Sequence, residues 1–124
     1  MDLITIAKLI YGRTQELERL KNNLEPLAKA KDEASAQYEK TLALIMIGLR
    51  NGKTYQFESE TITEPPTTVI EKIAKGMCWK EKLAMDSAES AYKNTLKTID
   101  LVESQMMGYQ SINKYLNEVE HEKA

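Results

Sequence analysis

The chain has 124 residues, a net charge of −2, 29% charged and 6% aromatic side chains, few Gly and Pro, and one cysteine, Cys78. That length fits one domain with a modest core, and the charge excludes a general attraction to DNA, RNA or anionic lipid while leaving room for a local basic patch. A lone cysteine excludes an intrachain disulfide and fits a reducing compartment. The longest apolar run, Leu42–Leu49, falls far short of the roughly 20 residues a bilayer span needs, and Met1-Asp2-Leu3 lacks the basic start of a signal peptide, so a cytoplasmic protein is expected.

From the start to about Arg50 the apolar residues Leu17, Leu20, Leu24, Leu27, Ala34, Tyr38, Leu42, Ile45 and Leu49 recur mostly every three or four positions, with Lys31 filling the one missing step. That is helical spacing, and Arg13, Glu16 and Lys21 fall off the stripe as a solvated face requires. Gly12 is a candidate break after a short helix from Asp2 to Tyr11, with Thr14 as candidate N-cap of the next. Pro26 removes one helical hydrogen bond and crowds the preceding turn. A kink is favoured over a break there, because the leucine spacing passes through Pro26 without a phase change.

Asn51-Gly52 ends this first element, since glycine accepts the left-handed C′ conformation freely. Over 52–68 the character changes: Tyr55 and Phe57 alternate with Gln56 and Glu58, an extended pattern, and Pro65-Pro66 forbids helix. Thr68-x-x-Glu71 has the spacing of a capping box ahead of Val69, Ile70 and Ile73, which places a short helix over 69–76 closed by Gly76. A last helix is expected over about 78–120, on the stripe Ala88, Tyr92, Leu96, Ile99, Val102, Met106, Tyr109, Ile112 and Leu116. Its mean step of about 3.5 residues suits helices packed side by side at a shallow angle.

The fold expected is therefore all-α: two long antiparallel helices forming a helical hairpin, with a short extended segment and a short central helix between them. Two helices alone bury one face each. The run Leu42–Leu49 is apolar over more than one face, and the short helix covers part of the surplus, so self-association is expected for the remainder.

Catalytic chemistry finds little footing. His121 is the only histidine, close to the C-terminal end, which leaves Ser, Cys and Thr without a positioned base. Glu118-x-x-His121 has di-iron spacing, but such a site needs a second histidine. No phosphate-loop, dinucleotide or paired-cysteine motif is present, and no cofactor or metal is expected. Cys78 stands near a helix start, where the dipole lowers a thiol pKa; packing as an inert buried thiol is the plainer reading.

One segment stands out. Over 69–82, Lys72, Lys75, Lys80 and Lys82 outnumber Glu71 and Glu81 for a local charge of +2 around Trp79, the sole tryptophan. A helix N-terminus near Trp79 adds amide donors. The functional reading is a docking surface for an acidic patch or a phosphate; the structural reading is that Ile73, Met77 and Trp79 plug the open end of the hairpin. Tyr55 and Phe57 carry the same duality, as an edge open to another chain or as a cap on the hairpin.

The order Pro66-Thr67-Thr68-Val69-Ile70-Glu71-Lys72-Ile73-Ala74-Lys75-Gly76, then Ala88-Glu89-Ser90-Ala91-Tyr92-Lys93, then Ile99 and Gln110-Ser111-Ile112, resembles a group of small helical proteins encoded in the early regions of bacteriophages and prophages of Gram-positive bacteria. The resemblance implies a long first helix, a short central helix, a long last helix and a place in the bacterial host cytoplasm, and it supplies no catalytic residues. The leading expectation is thus a non-enzymatic interaction protein that binds a host or phage protein, for example to inhibit a bacterial defence system. A nucleic-acid accessory factor in phage recombination or replication is the first alternative, from the lysines around Trp79. An oligomeric nucleotide or small-molecule sponge is the second.

Overall fold

The computed structural model describes residues 1–123. Its elements are helix α1 (Leu3–Asn22), helix α2 (Leu24–Arg50), strands β1 (Tyr55–Phe57) and β2 (Glu60–Ile62), a 3₁₀ turn (Thr67–Val69), helix α3 (Ile70–Met77) and helix α4 (Trp79–Lys123). The fold is all-α apart from one small hairpin, and it resolves into two compact units: residues 1–27 with the chain from Ala91 onward, and Ala28–Ser90.

In the first unit α1 packs antiparallel on the C-terminal half of α4. Leu17 and Leu20 meet Ile99 and Val102, with Leu24 and Met106 at the margin. Thr14 Oγ1 lies 3.3 Å from the Met106 sulfur, and Lys21 pairs with Glu103 at 3.3 Å. Gly12 does not break α1. Fully buried Ile6 on one side and Leu17 and Leu20 on the other anchor the helix across it, outweighing the roughly 1 kcal/mol that glycine costs in a helix. Asp2, not Thr14, is the N-cap, its carboxylate accepting from the Thr5 amide at 2.7 Å. The Thr14 hydroxyl stands 2.9 Å from the Ile10 carbonyl within the helix. Arg13 and Glu16 are half-buried and paired with each other rather than freely solvated.

The ladder is interrupted at one residue, Asn23, which stays in the right-handed region (φ −83°, ψ −12°). Its amide bonds to the carbonyls of Arg19 and Leu20, and its carbonyl accepts from Leu27. Pro26 sits inside the first turn of α2, where a missing amide proton matters least. The result is a bend rather than a break, and both leucines flanking it, Leu24 and Leu27, remain half-buried.

In the second unit α2 ends in a Schellman motif: Gly52 at φ +82°, its amide on the Leu49 carbonyl, and the Lys53 amide on that of Gly48 at 2.9 Å. The chain then forms an antiparallel hairpin in which Tyr55 pairs with Ile62, Gln56 with Thr61 and Phe57 with Glu60. The expected extended stretch is thus one arm of a two-stranded sheet. Leu49, Ile70 and Ala74 form the core here, with Leu42, Ile45, Met46, Tyr55, Ile62 and Ile73 packed around them. Leu44 and Ile47, from the same apolar run, remain exposed.

The Thr68–Glu71 capping box does not form. Residues Thr67–Val69 make a 3₁₀ turn after Pro66, the α-helix begins at Ile70, and no side chain caps it. Gly76 lies within α3, which continues to Met77. The inward positions of α4 also differ from the expected stripe: Thr95 and Asn113 are half-buried, whereas Leu96 and Ile112 are exposed. From Ala88 to Leu116 the inward residues follow a four-three alternation, the heptad rhythm of paired helices, with Glu89 and Glu103 half-buried at its edge, and residue size yields to that rhythm.

Candidate interaction surface at the connector

The residues singled out around Trp79 all lie in the second unit, but the structure separates them. Tyr55 is a packing residue. Its hydroxyl lies directly over Gly48 of α2, its ring joins the Leu49–Ile70–Ala74 core, and the Lys53 ammonium stands 5.1 Å from the ring centroid. Gly48 is what lets it in: a Cβ there would stand 3.0 Å from the ring Cζ and collide with the hydroxyl. Tyr55 therefore fixes the hairpin to α2.

The four lysines do not form one patch. Lys75 pairs with Glu71 at 2.9 Å on α3, which holds the Glu71 carboxyl below its ordinary pKa and lifts that of Lys75. Lys82 pairs with Asp86 at 3.3 Å and lies 5.6 Å from the centroid of Tyr38. Lys80 lies over the Trp79 ring at 5.5 Å. Lys72 is exposed on α3. Two of the four charges are thus matched by carboxylates one turn away; Glu71 already counts in the local +2, and adding Asp86 lowers it to +1.

What the fold does assemble is a cleft of about 400 Å³ lined by Phe57, Glu58, Met77, Trp79, Lys80 and Glu81. Phe57 comes from the last position of β1, Glu58 from the turn, Met77 from the end of α3, and Trp79 to Glu81 from the first turn of α4. Trp79 is 45% exposed; Phe57 and Met77 are half-buried beside it. Two carboxylates line the cleft against one ammonium, so its rim is acidic rather than basic. Glu58 holds φ +56°, a conformation that costs a non-glycine residue about 1 kcal/mol. Sequence reading named Phe57, Trp79 and Lys80 as site residues and set Met77 and Glu81 in the segment around Trp79, but missed Glu58, which only the hairpin turn brings alongside.

Cys78, between α3 and α4, is fully buried. Burial, with Glu81 nearby, pushes its thiol pKa up, opposite to the lowering expected at a helix start. It is a packed thiol. His121 is exposed on α4 beside Asn117 and Glu120. Among the described residues no group of His, Cys, Asp and Glu is placed to hold a metal ion, no helix is long and apolar enough to cross a membrane, and no charged or polar residue is buried. No protein family model, curated protein or solved structure matches this chain.

Proposed function

We propose that this chain is a non-enzymatic interaction protein that works in the bacterial cytoplasm by binding a host or phage protein, for example to inhibit a defence system, and that it self-associates. The phage setting comes from the resemblance of residues 66–112. The observation that supports a binding role is the exposure of Trp79 beside Phe57 and Met77 in a cleft built from three elements. A large aromatic left half in water next to further apolar surface is the usual composition of an interface anchor. The acidic rim of Glu58 and Glu81 favours an apolar segment with flanking basic residues as occupant, in place of the acidic or phosphorylated partner that the lysine count suggested. Dispersal of the lysines weighs against the nucleic-acid alternative, because phosphate binding draws on unpaired cations.

The test is recovery of partners from a bacterial lysate on the immobilised chain and on its Phe57→Ala/Trp79→Ala variant. A protein retained by the first and lost by the second supports the reading. Absence of any retained protein, together with robust turnover of a substrate by the purified chain, overturns it.

A further inference from the structure

We propose that the Trp79 cleft receives an arginine side chain of the partner protein, its guanidinium stacked on the Trp79 ring and held by the Glu58 and Glu81 carboxylates. The proposal rests on the interaction surface put forward above and names what enters it.

Two aromatic rings, a thioether and two carboxylates meet in this cleft, from Phe57, Trp79, Met77, Glu58 and Glu81. The face of an aromatic ring is electron-rich and attracts a cation within about 6 Å of its centroid. The chain already uses this attraction: the Lys80 ammonium stands over the Trp79 ring at 5.5 Å. A cation of the chain's own thus marks the chemistry that the ring accepts.

The two carboxylates are uncommitted. Glu71 and Asp86, on the same helices, hold Lys75 and Lys82, but neither Glu58 nor Glu81 has an ion pair among the described residues. Glu81 is half-buried, and after burial itself its charge is what raises the Cys78 thiol pKa. Partial burial of an unpaired carboxylate costs free energy that an incoming cation offsets. The surroundings have the same sign. From Thr54 to Glu64 the hairpin carries Glu58, Glu60 and Glu64 and no lysine or arginine, a local charge of −3.

Among cations, arginine matches this lining best. Its guanidinium is planar, stacks on an indole face, reaches a carboxylate through two parallel N–H donors, and is less strongly hydrated than an ammonium. Its methylene stem packs along apolar surface, which Phe57 and Met77 supply. The cleft volume of about 400 Å³ lies toward the small end of the roughly 300–1,000 Å³ that ligand sites span, suited to one inserted side chain.

Trp79 is the sole tryptophan, so its fluorescence reports on this cleft alone. The test titrates the full chain with acetyl-leucyl-arginine amide and with the citrulline peptide, a neutral isostere. The arginine peptide is expected to give a saturable change, and the citrulline peptide to bind at least fivefold more weakly. Glu58→Gln/Glu81→Gln should weaken the arginine peptide at least fivefold with unchanged helical circular dichroism. Lys80→Met, which removes the competing ammonium, should tighten it at least threefold. Equal binding of the two peptides, or no saturable response to arginine, overturns the proposal. A partner lost from Phe57→Ala/Trp79→Ala yet held by Glu58→Gln/Glu81→Gln also overturns it, while leaving the interaction surface standing. No response to either peptide, with no partner retained by the immobilised chain, overturns both.

Discussion

Gly48→Ala sets two effects of opposite sign against each other. Replacing glycine by alanine inside a helix ordinarily stabilises by about 1 kcal/mol, through helix propensity and the loss of unfolded-chain freedom. Gly108 in α4 offers that gain without opposition, since a Cβ there meets nothing within 4 Å. At Gly48 a Cβ collides with the Tyr55 hydroxyl and stands 3.0 and 3.2 Å from Cζ and Cε2. The ring must lift off α2, and β1 with it, loosening its contact with Leu49, Ile70 and Ile62. Overpacking of this kind costs about 1–3 kcal/mol, so the net change is a loss of about 1 kcal/mol, or about 4 °C in Tm for a chain of this size. Urea and thermal unfolding followed by circular dichroism measure it. Gly108→Ala is expected to stabilise, Gly48→Ala to destabilise, and Tyr55→Phe in the Gly48→Ala background to recover part of the loss, because the nearest clashing atom is then absent. Equal stabilisation by both alanines would refute the placement of Tyr55 against α2.

Glu58→Gly is expected to leave stability within about 0.5 kcal/mol in the same assay, because relief of the strain at φ +56° offsets the unfolded-chain freedom that glycine adds, whereas Glu58→Val, β-branched at a left-handed position, is expected to destabilise. Cys78, fully buried with its pKa raised, should react with a thiol reagent only as fast as the protein opens, and at full rate in denaturant. The Asp2 carboxyl is held below its ordinary pKa by the Thr5 amide, first through the backbone bond. Its contribution to α1 is therefore present above the unfolded-state pKa and is lost as pH falls through the lower folded value. Protection of the Thr5 amide against exchange, taken relative to its intrinsic rate at each pH, should fall over that acid window, and Asp2→Asn should remove the dependence. Fluorescence of the sole tryptophan should be open to acrylamide quenching in the free chain and protected once a partner occupies the cleft.

Much of the fold was legible in residues whose physics is local. Asn51-Gly52 produced its Schellman turn, Pro65-Pro66 kept the connector out of helix, and the leucine spacing through Pro26 anticipated a bend. The misreadings share a cause, which is that packing overrides local preference. Gly12 and Gly76 looked like breaks, yet both lie within helices anchored from either side. The Thr68 capping box lost to the 3₁₀ entry after Pro66. Strand β2 escaped notice because Glu60-Thr61-Ile62 carries a single apolar residue and Glu58-Ser59 lacks the Gly or Asn that marks a tight hairpin. That omission concealed the site as well: the turn brings Glu58 to the cleft, and the acidic rim reverses the charge inferred from the lysine count. Ion pairing one helical turn apart, as at Lys75 and Lys82, is readable from spacing and already marks two of the four lysines as paired.

The central claim is that Trp79 and its neighbours form a binding surface, and affinity measures it most directly. With a partner isolated on the immobilised chain, calorimetric titration against the wild-type protein and Trp79→Ala should show a loss of about 30-fold or more in Kd, the scale of an interface anchor, with unchanged helical content. An affinity that Trp79→Ala and Phe57→Ala both leave unchanged would contradict the account.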